Sequence, residues 1–223
     1  MSSHPTLRII RNEHGVLVAV LRSIELLLAE CRRHGRAPDF TLLRAMLFYI
    51  DEFPERVHHP KESELLFPRI RQRTAALTDV LERLDADHAR SHAAVRELEH
   101  DVLELEMMSE SADSESRQLR FETSMRAYIA SYLEHIRAEE IQILPLAERV
   151  LSAADWAELD AAFTQNRDPL TLHETDDAFR PLFLRILTTL PSPIGLGPTV
   201  DSLRNAPPGV KAGQPGQSNE RSR

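Results

Sequence analysis

Apolar residues recur every three or four positions along the N-terminal part of the chain. The pattern comprises Leu7, Ile10, Leu17, Val18, Leu21, Ile24 and Leu28. This spacing follows the period of an α-helix, in which such positions share one face. Pro5 suits a first helical turn, and Gly35-Arg36-Ala37-Pro38 suits a helix end. The pattern predicts an amphipathic helix from about Pro5 to Arg33.

Three further segments show the same period. Asp39 is a candidate cap for the second segment, which runs through Leu42 to Phe53. The third runs from about Thr74 to Met108, and the fourth follows the acidic connection Ser109 to Ser116 and reaches about Val150. No useful stretch alternates in the manner of a β-strand. The pattern therefore predicts an all-α protein, an antiparallel four-helix bundle with additional C-terminal helices.

The periodicity also predicts how the chain is divided. Residues 1–150 should form the bundle, and residues 151–190 a helical extension packed on it. Residues 191–223 are rich in Pro and Gly and poor in apolar residues, which predicts a disordered tail. Within the second helix, Pro60 disfavours helical geometry at His59, so a kink or restart is expected there.

Composition narrows the range of partners. The chain carries 27 Lys plus Arg against 35 Asp plus Glu, a formal net charge of -8. This balance argues against nucleic acid and anionic membrane surfaces as partners, because both require a concentrated basic surface. Cys31 is the single cysteine, which excludes an internal disulfide and a cysteine-based metal cluster. We find neither a signal peptide nor an apolar run of membrane-spanning length, so a reducing cytoplasm is the expected location.

Histidines fall on or beside the apolar stripe of each predicted helix. His14 lies two turns from both Leu7 and Leu21 on the first helix, and His88 lies mid-stripe on the third. His92 follows His88 one turn later, about 40° around the same face. The full set of inward candidates is His14, His58, His88, His92 and His135.

Two carboxylates accompany these histidines at helical spacing. Glu62 stands four residues after His58, and Glu139 stands four residues after His135, so each pair shares a helix face. Two alternatives remain open from the spacing alone: His59 in place of His58, and Glu140 in place of Glu139.

Burying five imidazoles and two carboxylates without partners would cost several kcal/mol for each unpaired charge. A shared metal would satisfy them together. Nitrogen and oxygen donors without thiolate suit iron, manganese or zinc, and the number of side chains exceeds what one tetrahedral zinc ion needs. The set therefore favours two octahedral ions bridged by both carboxylates, with one coordination position left for a small molecule. A helical bundle without metal is the simpler alternative.

Several motifs together resemble the hemerythrin-like family, also known as HHE cation-binding domains. The matching segments are Asn12-Glu13-His14, His58-His59-Pro60-Lys61-Glu62, Asp87-His88 with His92, Tyr132 to Glu140, Ala154-Asp155-Trp156, Asn166 to Pro169 and Pro193-Ile194-Gly195. The resemblance implies a non-haem centre of two iron ions in a four-helix bundle, with His14, His58, His88, His92 and His135 as nitrogen ligands and Glu62 and Glu139 as bridges. In the oxygen-carrying hemerythrins the last carboxylate is an aspartate five residues after its histidine, which is the position of Glu140 here.

The resemblance leads us to expect a protein that binds dioxygen or a related small oxidant, such as nitric oxide or peroxide, for storage, sensing or stress response. Two alternatives use the same centre. One is a peroxidase-like, catalase-like or nitric oxide reducing enzyme, and the other is an iron-responsive regulatory module. Whether the protein is an enzyme is therefore left open at this stage.

Overall fold

The computed structural model describes residues 4–166, 168–170, 184–186 and 188. Within these residues the chain forms helices and no strands. Four long helices run antiparallel, over residues 5–34, 40–73, 78–107 and 114–150. The predicted all-α four-helix bundle is confirmed.

The first long helix is α1, Pro5–His34. It begins with proline in its first turn and ends at Gly35, whose φ of 58° lies in the left-handed region. The Gly35 amide donates to the carbonyl of Arg32, and the Arg36 amide donates to that of Cys31. Glycine adopts this conformation without steric cost, so the helix ends where the sequence predicts.

The second long helix is continuous but not regular. It consists of α2 (Phe40–Ile50), the π-helical segment Asp51–His58, α3 (His59–Lys61), the π-helical segment Glu62–Leu66 and α4 (Phe67–Arg73). As predicted, the Asp39 side chain caps it by accepting a hydrogen bond from the Leu42 amide at 3.0 Å. The expected restart at Pro60 is wrong, because the backbone stays helical through His59 and Pro60.

Wide turns accommodate the prolines of the second and fourth long helices. The residues that directly precede Pro60, Pro68 and Pro145 are His59, Phe67 and Leu144. Their amides donate to the carbonyls of Pro54, Glu62 and Glu139, each five residues back. A proline ring clashes with the carbonyl four residues before it in a regular α-helix, and the wider turn relieves that clash.

The third and fourth long helices form the other half of the bundle. The third is α5, Thr78–Met107. It begins four residues after the predicted start at Thr74, because Leu77 has a positive φ of 59° that interrupts the helix. The fourth consists of α6 (Ser114–Ala138), the π-helical segment Glu139–Ile143 and α7 (Leu144–Val150).

Apolar side chains form two separate core layers along the bundle axis. One layer contains residues such as Leu21, Met46 and Val102, and the other contains residues such as Leu7, Phe67 and Leu84. On the first three long helices the polar candidate residues lie between the positions that contribute to these two layers, and on the fourth His135 and Glu139 flank the change from one layer to the other. The core is therefore apolar at both ends and polar in the middle.

One further helix packs on the bundle. Helix α8, Ala153–Phe163, starts with a capping box between Ser152 and Asp155 and lies against α1, where Thr6 donates to Asp160. It buries Trp156, Leu159 and Phe163, which belong to the second core layer. Most of the predicted extension beyond α8, and all of the predicted tail at 191–223, lie outside the described residues. Among the described helices, none combines the length and hydropathy that a membrane span requires.

Candidate metal centre

Six of the seven predicted site residues meet in the middle layer of the bundle. These residues, which we name the central cluster, are His14, His58, Glu62, His88, His135 and Glu139. All six are buried, and both glutamates have 0% exposure. All four long helices contribute to the cluster, so its assembly depends on the fold of the whole bundle.

The cluster divides into two overlapping groups of possible metal ligands. One group is His14, His58, Glu62 and Glu139, and the other is Glu62, His88, His135 and Glu139. Within each group the donor atoms all lie within 4.8 Å of one another. Because Glu62 and Glu139 belong to both groups, the geometry has the form of two adjacent cation sites with two shared carboxylates.

The histidine rings direct their Nε2 atoms inward. His14 Nε2 lies 3.3 Å from Glu139, and His58 Nε2 lies 3.2 Å from Glu62. His135 Nε2 lies 3.1 Å from Glu139. Nε2 is a good metal donor when the other ring nitrogen carries the proton. The orientation therefore presents lone pairs and carboxylate oxygens to a common centre.

The Nδ1 atoms point outward to a second ring of polar groups. The pairs are His14 with Glu140 at 3.1 Å, His58 with Glu13 at 2.7 Å, His88 with Ser63 at 2.8 Å and His135 with Asp87 at 3.7 Å. Ser63 donates in turn to Asp85, so its oxygen is the acceptor for His88. Such outer partners fix the ring orientation and tautomer of metal-binding histidines. The arrangement is typical of a metal site.

The inner atoms of the cluster lack protein partners. Among the residues that the structure describes, both carboxylate oxygens of Glu62 and of Glu139 are buried without a hydrogen bond, and so is His58 Nε2. In addition, the Nε2 atoms of His88 and His135 face each other at 3.0 Å. Buried acceptors without donors are costly, and bound cations would satisfy all of them at once. The residues present therefore fit a metal centre.

Contacts between histidines and carboxylates shift the pKa values of the cluster residues. Burial acts to lower the pKa of His14, but the nearby carboxylates of Glu139 and Glu140 raise it overall to about 8. Burial likewise opposes the charges of Glu62 and Glu13 at His58, whose pKa rises well above its ordinary value. Burial acts to raise the pKa of Glu139, but the neighbouring His135 holds it well below its usual range. The carboxylates thus impose a negative field on their histidines.

The structure does not bring His92 into the cluster. The His92 side chain is 45% exposed, and its Nδ1 lies 3.6 Å from Asp51. Helix α5 is regular between His88 and His92, so His92 lies one turn further along the bundle and about 40° around it. The angle between His92 and His88 around the helix is small, but the displacement of His92 along the helix axis takes its ring out of reach of Glu62 and Glu139.

His59 lies beside the cluster instead. Its donor atom groups with those of His88 and His135, and its ring stacks on that of His88 with centroids 3.9 Å apart. His59 Nδ1 pairs with Glu55 at 3.1 Å, and its Nε2 accepts a hydrogen bond from Tyr132 at 2.9 Å. Burial and the neighbouring imidazoles lower the pKa of His59 well below its ordinary value.

The two alternatives left open by the sequence resolve differently. His58 and His59 are both buried, at 5% and 4% exposure, so neither excludes the other. Glu139 is in the cluster, whereas the Glu140 side chain is 40% exposed and contacts the outer Nδ1 of His14. Glu140 is therefore an outer partner.

Sequence reasoning missed a support for His58 that comes from beyond the bundle. Asn166 donates to both carboxylate oxygens of Glu13, at 2.8 and 3.1 Å. Lys61 donates to Asn166 and also to the carbonyl of Ala162 at 2.8 Å. Glu13 is therefore held in place for its contact with His58. The pattern of apolar positions carries no signal for such a contact.

A repeated pattern in the sequence underlies the pairing of the two carboxylates. His58, Glu62 and Pro68 have the same spacing as His135, Glu139 and Pro145. In both copies a π-helical segment starts at the glutamate. The two copies place equivalent ligands from the second and fourth long helices.

Comparison with known proteins agrees with this geometry. No curated protein and no solved structure matches the chain. A family model described as the hemerythrin HHE cation binding domain matches residues 6–147, a stretch that contains the whole central cluster and His59. Since this match covers more than half of the sequence, the chain belongs to the hemerythrin HHE cation-binding domain family.

Proposed function

We propose that the central cluster holds two iron ions and that the protein uses them to bind dioxygen or a related small oxidant. One observation carries the proposal: the buried oxygens of Glu62 and Glu139 have no hydrogen bonds among the described residues, and they are shared by both ligand groups. Nitrogen and carboxylate donors without thiolate suit iron, with manganese or zinc as alternatives.

Each residue has a distinct role in this proposal. Glu62 and Glu139 would hold both ions, and five histidines would supply nitrogen ligands: His14, His58, His88, His135 and His59, with His59 in the place first predicted for His92. For His59 to bind an ion, its Nε2 must give up the hydrogen bond from Tyr132. Bound iron in its reduced form would supply electrons to a small oxidant.

The surrounding protein holds and isolates the centre. The outer partners Glu13, Glu140, Ser63 and Asp87 keep the imidazole protons on Nδ1, so the Nε2 lone pairs stay directed inward. The apolar layers above and below exclude water along the bundle axis. Exclusion of water strengthens every electrostatic contact within the site.

Metal analysis combined with optical spectroscopy tests the proposal. The full chain, loaded anaerobically with ferrous iron and freed of excess, should retain about two irons and change its visible spectrum when dioxygen or nitric oxide is added. His135→Ala should lower the iron content, and His100→Ala, an exposed histidine on α5, should not. An iron content near zero in the wild-type protein would contradict the proposal.

A peroxide-consuming activity is the second candidate function. It is favoured by a group of hydroxyl and carboxyl side chains next to His59: Ser91 donates to Glu55 at 2.5 Å, Tyr128 donates to Glu55 at 3.4 Å, and Tyr132 donates to His59. Such groups hydrogen-bond peroxide and carry protons. Stopped-flow spectroscopy distinguishes the two functions, because a long-lived oxygenated species supports binding and repeated peroxide turnover supports an enzyme.

A further inference from the structure

A cleft between α5 and α6 opens from the surface onto one side of the central cluster. Its volume is about 260 Å³, and its inner end is formed by His59, Tyr132 and His135. Small residues line its walls, among them Ala94 on α5 and Ala127 and Ser131 on α6. Larger side chains at these positions would fill the space between the two helices.

The opposite side of the cluster, which we call the closed side, offers little space among the described residues. The cavity next to His14 and His58 has a volume of only about 20 Å³. Leu17, Tyr49 and Phe53 are among the side chains that wall it. A cavity of roughly 10 to 15 Å³ can hold one water molecule, so this cavity has room for about one water and offers no space comparable to that of the cleft. Access is therefore far easier from the cleft between α5 and α6.

The inner part of the cleft is polar. Ser91, Tyr128 and Tyr132 line it, and their hydroxyl groups take part in the hydrogen bonds around Glu55 and His59. Ser91 also lies 3.3 Å from the Tyr128 hydroxyl. These groups suit a molecule that donates and accepts hydrogen bonds, because a polar guest replaces the hydrogen bonds it interrupts.

The charges of the cleft select against anions. Among the described residues, one wall of the cleft carries three carboxylates and one arginine: Asp87, Glu97, Asp101 and Arg90. Arg90 pairs with Asp87, so the remaining carboxylates give the cleft a negative field. A cleft lined by one sign of charge repels small ions of that sign and lowers their association rate.

We propose that this cleft is the access and binding site for a small uncharged oxidant with hydrogen-bonding groups, of the class of hydrogen peroxide, and that it discriminates against anions. The proposal rests on the function proposed above, because it assumes iron at the central cluster. It adds that the external molecule arrives on the His59 and His135 side.

Blocking variants test the route. Ala94→Phe and Ser131→Phe place a bulky ring in the cleft from opposite walls, whereas Ala93→Phe and Ala130→Phe add the same ring at exposed neighbours that do not line it. Nitric oxide, an uncharged probe, is mixed with the ferrous protein and its association is followed by stopped flow. Each blocking variant should slow association at least about tenfold, with the controls within about twofold of wild type.

The outcomes separate the two proposals. Wild-type protein without iron contradicts the proposed function. Unchanged nitric oxide association in blocking variants that retain two irons overturns the cleft as the route and leaves the proposed function standing. If Ala94→Phe fails to fold, the nitric oxide rate of Ser131→Phe alone tests the route. Loss of iron in both blocking variants, with iron retained in both controls, would also contradict a cleft that lies outside the metal ligands.

Azide, an anionic probe, tests the discrimination. The double variant Glu97→Gln with Asp101→Asn should raise the rate of azide association with the ferric protein by about three- to tenfold at low salt, and high salt should remove the difference. The nitric oxide rate should change much less than the azide rate, because nitric oxide carries no charge. Glu82→Gln, at an exposed position of α5 outside the cleft, is the matched control. An azide rate that is unchanged in the double variant would overturn the proposed discrimination.

Discussion

The two sides of the metal centre use the same residue types in different surroundings. On the closed side, His14 and His58 have carboxylate partners, Glu140 and Glu13, and the adjoining cavity is about 20 Å³. On the open side, His59 lies at the end of a cleft of about 260 Å³. Under the proposed function, this difference would let the closed side retain metal and the open side exchange small molecules.

His14 and His59 also differ in their pKa values. On the closed side, burial acts to lower the pKa of His14, but Glu139 and Glu140 raise it overall to about 8. On the open side, burial and then the charges of His88 and His58 lower the pKa of His59 well below its ordinary value. A neutral imidazole with a free lone pair needs no proton loss before it binds a metal or accepts a hydrogen bond.

The largest expected effect is the loss of both metal ions on changing a shared carboxylate. Glu139→Ala removes a donor from both ligand groups, so iron content should fall from about two per chain to well below one. Glu134→Ala, at an exposed position of α6 outside the cluster, is the control and should retain two irons. Metal analysis after gel filtration measures both. An equal iron content in Glu139→Ala and wild type would contradict a carboxylate that is shared by both metal sites.

Single histidines should distinguish the two sides. His14→Ala removes a nitrogen that belongs only to the closed group and should lower the iron content to about one per chain. His59→Ala should keep most of the iron, since water from the cleft can replace the lost nitrogen, but should weaken its retention. His92→Ala should behave as wild type. Iron loss in His92→Ala without loss in His59→Ala would show that His92, as the sequence predicts, is the fifth nitrogen ligand in place of His59.

Stability of the metal-free protein should depend on pH through Asp168, which lines the closed cavity and accepts a hydrogen bond from Tyr49. Burial raises the pKa of Asp168 from 3.8 to about 6. The folded state therefore binds this proton more tightly than the unfolded state does. Its stabilising contribution is present below about pH 4 and is lost as pH rises through about 6.

Asp168→Asn should remove that dependence. Relative to wild type, the variant should gain up to about 2 to 3 kcal/mol in the free energy of unfolding between pH 4 and pH 7. Urea titrations at several pH values measure the gain, and only the difference from wild type is compared because other buried groups also titrate. A parallel pH dependence in the two proteins would show that Asp168 is not perturbed.

The smallest expected effect concerns the support of His58. Asn166→Ala removes both hydrogen bonds to Glu13 and should weaken iron retention about tenfold, the lower range for loss of an outer partner. Gln165→Ala, at the exposed neighbouring position, is the control. The rate of iron release to a chelator is the measurement, together with the visible spectrum, which a purely structural role would leave unchanged. Equal release rates in the two variants would contradict the role of Asn166.

Sequence periodicity was sufficient for the fold and for the inward direction of two candidate histidines. His14 and His88 are on α1 and α5, where a 3.6-residue wheel correctly places their side chains in the interior. The wheel fails around His58 and His59, because π-helical segments on both sides of α3 change the number of residues per turn. Both rings are buried there, and the sequence had offered them as alternatives.

The other missed features depend on distances along the bundle and across the chain. His92 shares a face with His88, but a helical wheel does not report the axial step that separates it from the cluster. The support of Glu13 by Asn166 joins two polar residues that have no periodic pattern. Neither feature can be read without knowing which residues the tertiary fold brings together.

The hydrogen bond between Asn166 and Glu13 spans 153 positions of the chain. All residues of the central cluster precede position 140, so during synthesis every candidate ligand leaves the ribosome before Asn166 does. Domains fold largely from the N-terminus as the chain grows. Under the proposed function, the candidate ligands are therefore made before Asn166, and the support that Asn166 gives to His58 through Glu13 is the last part of the site to form.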